Sequence, residues 1–197
     1  MSRALALICC LAAPAVAEKL SYQHENWETV HIANNEGAIN TADDLTVSID
    51  LTDKKHVEIT ATGNSKEHNL FHDGRNTDDV SAWTTTWKGT YTRTAKALVM
   101  DLELGKHDCT ASRTEDSFAP EPRPCKQPSK HAKVSCMSES VEIDQKKVAA
   151  WRCLTDDKTD LAETAPSWLV GKTQCIRSKG GHRSPESFEA CPITAER

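Results

Sequence analysis

Aromatic side chains make up only 5% of this 197-residue chain, and both proline and cysteine are missing from residues 18–104. After residue 17 no apolar run approaches the roughly 20 residues that a membrane-crossing helix needs, so no transmembrane segment is expected. A hydrophobic share of 38% beside 27% charged residues excludes collagen, a coiled coil and a disordered acidic tail. Catalytic signatures are equally scarce. The chain has no C-x-x-C, no H-E-x-x-H and no G-x-S-x-G, and Gly171-Lys172-Thr173 lacks the upstream glycine of a phosphate loop because Pro166 stands there. Asp156-Asp157-Lys158-Thr159-Asp160 lacks the spacing and glycine of a calcium loop and reads as a turn. No cofactor is expected.

What is present begins with residues 1–17, where Arg3 precedes the apolar run Ala4–Leu11 and the small-x-small end Ala15-Val16-Ala17. That pattern predicts a cleaved signal peptide and a single β domain over 18–197, secreted or periplasmic. Lipid attachment at Cys9 or Cys10 is the competing anchor, and Ile8 and Cys9 are poor occupants of a lipobox position that wants a small residue. Residues 18–104 hold 8 basic and 15 acidic side chains and residues 105–197 hold 15 and 14, an acidic balance that disfavours a nucleic-acid partner.

Six cysteines follow the signal: Cys109, Cys125, Cys136, Cys153, Cys175 and Cys191. An even number in an exported chain predicts disulfides, and nearest-neighbour pairing is favoured because each bridge then closes one local loop. Every proline after residue 17 also falls beyond residue 104. The cysteine-free part must therefore hold together by strand pairing and apolar burial, and the 105–197 part by covalent closure of loops.

Leu45, Val47, Ile49 and Leu51 alternate with polar residues, and Val57, Ile59 and Ala61 repeat the pattern after Thr52–Lys55, which predicts a hairpin. Trp83, Trp87 and Tyr91 share one strand face, with Gly89 among them leaving room for close approach, and Leu98, Met100, Leu102 and Leu104 alternate on the returning strand. Shorter strands are predicted around Val134, Val141, Trp151 and Trp168, with Lys172 in the last of them. Ser184-Pro185-Glu186 predicts a short helical turn ending near Cys191. Eight to ten strands without a helical period predict an all-β chain, an antiparallel β-barrel or alternatively a β-sandwich. The stretch from Trp83 to Leu104 resembles the strand pairs of lipocalin-like (calycin) β-barrel domains. The resemblance favours the barrel and carries no binding residues, since the Gly-x-Trp triplet of a first lipocalin strand is lacking.

Three local features are candidate sites. Glu67-His68-Asn69-Leu70-Phe71-His72-Asp73 offers His68, His72 and Asp73 to a metal, but in an extended chain residues four apart lie about 13 Å from one another, so an exposed polar loop is preferred. The aromatic face of Trp83, Trp87 and Tyr91 is either core or a platform for an apolar ligand or a sugar ring. Phe118-Ala119-Pro120-Glu121-Pro122-Arg123-Pro124 is a rigid segment within loop 118–128 that ends at Cys125 and suits presentation to a partner. Arg177–Arg183 reads as a solvated basic loop. The favoured function is a non-catalytic binding or envelope-associated module for a small apolar ligand, a glycan or an extracellular protein. A secreted hydrolase or metal-dependent enzyme is the second class, and an inhibitor using the proline-rich loop is the third.

Overall fold

The computed structural model describes residues 17–32, 37–116, 118–156, 167–172, 174–179 and 187–191. Residues 1–16 of the predicted signal peptide, Cys9 and Cys10 among them, and the predicted turn at Ser184–Glu186 lie outside the described residues. Among the described residues eleven strands form one sheet: β1 (Glu18–Ile32), β2 (Gly37–Leu51), β3 (His56–Phe71), β4 (Asn76–Arg93), β5 (Ala97–Glu115), β6 (Glu121–Pro122), β7 (His131–Ile143), β8 (Lys146–Thr155), β9 (Ser167–Gly171), β10 (Ile176–Lys179) and β11 (Ser187–Ala190).

Eight of these strands close into an antiparallel ring, β1-β2-β3-β4-β5-β7-β8-β9, sealed by the pair Ser21↔Gly171. Past that seal β1 takes a different neighbour: Tyr22–Glu25 pair in parallel with β10, which in turn carries β11. The chain is thus all-β, as composition and alternation predict. Ser187–Ala190 is a strand, not the last turn of a helix, because Ser187, Phe188 and Glu189 pair with Lys179, Ser178 and Arg177. Lys172 stands in the bend after β9.

Strict alternation brings the predicted apolar faces together inside the ring. Leu20, Val47, Ile49, Ile59, Leu98, Met100 and Val134 are fully buried there with Trp87, Trp151 and Trp168. Each such aliphatic side chain contributes about 1.5–3 kcal/mol relative to exposure. Gly89 lies opposite Leu102, and a Cβ there would sit 1.9 Å from the carbonyl oxygen of Asp101, so the close approach expected at this glycine is to backbone. Asp144 and Gln145, both in the left-handed region (φ 50° and 63°), make the two-residue turn between β7 and β8, the turn whose twist matches a hairpin.

The three bridges pair nearest neighbours. Cys136–Cys153 joins facing residues of β7 and β8, Cys175–Cys191 ties the start of β10 to the end of β11, and Cys109–Cys125 ties β5 to the proline-rich segment. No helix of the described residues is long and apolar enough to cross a membrane.

Candidate functional site

Strands β2 to β5 run on well past the ring core, and their far ends change character on the core-facing side. Register carries that face outward in rows. Val47, Ala61 and Thr85 are followed by Leu45, Gly63 and Trp83, then by Asp43, Ser65 and Ser81, then by Thr41, Glu67 and Asp79. Apolar side chains give way to polar ones within two rows. On β5 the same face carries Cys109, Ala111 and Arg113.

The polar rows are internally ordered. Arg113 donates from Nε to Oδ1 of Asp79 at 2.8 Å and from Nη2 to Oδ2 at 2.6 Å, a planar fork across neighbouring strands. That guanidinium holds the Asp79 carboxyl below its ordinary range, first through the hydrogen bonds and then through charge, with Arg123 adding to the effect. Asp79 in turn raises Arg113. Ser65 donates to Asp43, and Asn69 donates to Glu67 at 2.9 Å. Two rows inward of the first polar row, the hydroxyl of buried Thr85 and Nδ1 of His107 are 2.7 Å apart.

The proline-rich segment lies along this end of the sheet as a strap. Asp116, with φ at 49°, turns the chain off β5, and its carboxylate accepts from the Asn76 amide at 2.7 Å. The strap then pairs back on β5 through Arg113↔Glu121 and Ser112↔Pro122, and the Arg123 amide donates to the Ala111 carbonyl at 2.8 Å. Glu121 and Arg123 therefore turn their backbone groups toward β5. Pro122 and Pro124 fall at the outward positions, where a proline's missing N–H leaves nothing for another strand to pair with. A cleft of about 290 Å³ opens between sheet and strap, lined by Ser65, Glu67, Asp79, Ser81, Ala111 and Arg123. A neighbouring one of about 260 Å³ is lined by Arg113, Glu115, Phe118, Ala119 and Glu121. The Asp79–Arg113 fork stands between the two. Phe118 is 73% exposed at the rim.

Of the segments singled out from sequence, the proline-rich one covers this groove and Glu67 lines it, while the other candidate residues are placed elsewhere. Trp87 is fully enclosed and Trp83 is 4% exposed, so these rings are core and no wet aromatic platform exists at them. Tyr91 is partly buried against the same core, and its hydroxyl donates to the Asp53 carbonyl at 2.6 Å, which fastens the β2–β3 turn. Glu67 to Phe71 are the end of β3, not a loop, because they pair with both β2 and β4 or, at Phe71, with β2 alone. His68 points to the opposite face from the groove, with Nδ1 2.8 Å from Oδ1 of Asp78, while His72 is exposed in the turn and Asp73 accepts from Arg75 Nε at 2.7 Å. The structure does not bring His68, His72 and Asp73 together, and no cluster of metal-ligating side chains occurs among the described residues. Arg177 and Lys179 lie in β10, ion-paired to Glu25 and Glu189, and are not part of a solvated loop.

Glu67, Asp79, Arg113 and Arg123 were not legible as a group. Comparison of the chain with family models, curated proteins and solved structures returns no match.

Proposed function

We propose that this chain is an exported, non-catalytic binding module that recognises its ligand outside the packed ring, at the strap-covered end of the sheet. One observation carries the reading. The face that is close-packed with tryptophan and aliphatic side chains inside the ring becomes, two rows further along, a polar groove whose side chains are held by their own hydrogen bonds and overlaid by a disulfide-anchored strap. Such preorganisation lowers the ordering cost of binding. Export is supported by the signal-like residues 1–17, by three disulfides and by the lack of a membrane-crossing helix among the described residues.

The strap's geometry weighs against an inhibitor that acts by adding a strand to a protease cleft, because its backbone donors at Glu121 and Arg123 face β5 and its outward positions are prolines. The test is retention of an extracellular or envelope component by immobilised mature protein, run beside a broad hydrolase screen. Retention lost in Arg123→Glu, without turnover, is the expected result. Turnover that disappears on a single substitution would move the protein to the enzyme class.

A further inference from the structure

Resting on that reading, we infer that the groove between β3, β4, β5 and the strap is a binding site for a neutral, hydroxyl-rich glycan. The two clefts meet at the Asp79–Arg113 fork and together present four carboxylates, Glu67, Asp79, Glu115 and Glu121, beside two guanidinium groups, Arg113 and Arg123. This mixture narrows the ligand class. The lining has two more carboxylates than guanidinium groups, which disfavours a polyanion; a polycation would use the carboxylates but meet like charge at Arg123, and an apolar ligand would strip water from charged groups and leave them unpaired.

A neutral polyol avoids all three costs. Each hydroxyl donates to a carboxylate and accepts from a guanidinium or from Ser81, so one ligand group serves both kinds of lining residue. The fork supplies carboxylate and guanidinium edges already fixed relative to each other. Phe118, 73% exposed beside the second cleft, offers a ring face to the C–H side of a sugar. The strap holding Phe118 and Arg123 is tied at one end by Cys109–Cys125 and stiffened by Pro120, Pro122 and Pro124, so neither side chain must be brought into place on a floppy loop.

Native affinity electrophoresis of the mature, disulfide-bonded protein tests the proposal. The gels contain hydroxyethylcellulose, galactomannan or amylopectin as neutral probes, and polygalacturonate or polylysine as charged ones. Expected is retardation in a neutral gel that persists at high salt, with Phe118→Ala and Arg123→Ala each weakening it roughly tenfold while melting within a few degrees of wild type. Retardation in charged gels alone overturns the ligand class. Neutral retardation that both variants retain in full overturns the groove, and no retardation in any gel overturns the proposal altogether. Retention of an envelope component in the experiment above would still stand in each of these cases, so loss of this inference and loss of the binding-module reading are separately visible.

Discussion

Asp79 on β4 and Arg113 on β5 face each other directly across the sheet and share two parallel hydrogen bonds. The pair divides the groove and fixes the far end of β4 to β5, where the apolar core no longer reaches. Because its folded pKa is depressed, Asp79 contributes stability that is present above its ordinary value of about 3.9 and is lost as pH falls through the lower folded value. Asp79→Asn should therefore melt below wild type at neutral pH, with the gap closing only under acid conditions below about pH 4. Thermal melts across pH check this. A gap that is constant into strong acid would mean that the carboxylate's charge is not what the fork uses.

The second prediction concerns the strap. Protein beginning at Glu18 should lack two hydrogens of mass per bridge and resist alkylation before reduction, since Cys109, Cys125, Cys136, Cys153, Cys175 and Cys191 are all paired. Replacing Cys109 and Cys125 together by Ala frees a loop of sequence separation 16. Chain entropy puts the loss at about 3 kcal/mol. Hydrogen exchange should speed up at Arg123, whose amide bonds Ala111, and stay slow at Trp87 deep in the ring. Equal acceleration at both sites would show that the bridge supports the whole fold and not the strap alone.

Apolar period was a good guide to the ring and a poor one to the groove. Leu45–Leu51, Val57–Ala61 and Leu98–Leu104 alternate because one face is dry, and these segments were readable. The outer ends of β2 to β5 are mostly polar, with Ile39, Leu70, Val80 and a few alanines scattered over both faces, so their periodicity vanishes although the backbone pairing continues. β1 was missed because Leu20 is followed by Ser21, Tyr22, Gln23 and His24, with too few aliphatic residues to register a period. Asp79 and Arg113 were hidden for another reason. Extending the register of Trp87↔Leu104 along the hairpin would place Asp79 opposite Ser112, and a shift between Thr86 and Trp87 moves it by one residue to Arg113. The unpaired residue is Gly105, between Leu104 and Lys106, and a lone glycine in a strand suggests a bulge without fixing the register beyond it.

Gly171 closes the ring opposite Ser21, and a Cβ at this position would fall 1.7 Å from the Gln174 carbonyl oxygen. Backbone on that side leaves no room for a side chain, so β9 must separate from the bend that leads to β10. Gly171→Ala is expected to expose Trp168 and Val170, both buried in the wild type, and to make the β9 amides exchange quickly. Unchanged tryptophan emission with unchanged exchange in β9 would show that the bend absorbs a methyl group without opening the seal.

The final prediction is made at Trp87, which is fully buried between Ile59 on β3 and Leu104 on β5 and whose indole N–H meets no acceptor among the described residues. Two opposing terms meet at this residue. Ring burial stabilises the fold, while an orphaned buried donor costs about 1–3 kcal/mol. Trp87→Ala removes both and leaves a large void, for which about 3–5 kcal/mol is the usual loss. In a domain of this size that corresponds to a fall of roughly 6–20 °C in Tm. Trp87→Phe keeps most of the ring volume and deletes the orphaned N–H, so its melting temperature should stay much closer to wild type. If Phe instead costs as much as Ala, the indole N–H has a partner in solution, and an acceptor such as an ordered water must sit inside the ring beside Trp87.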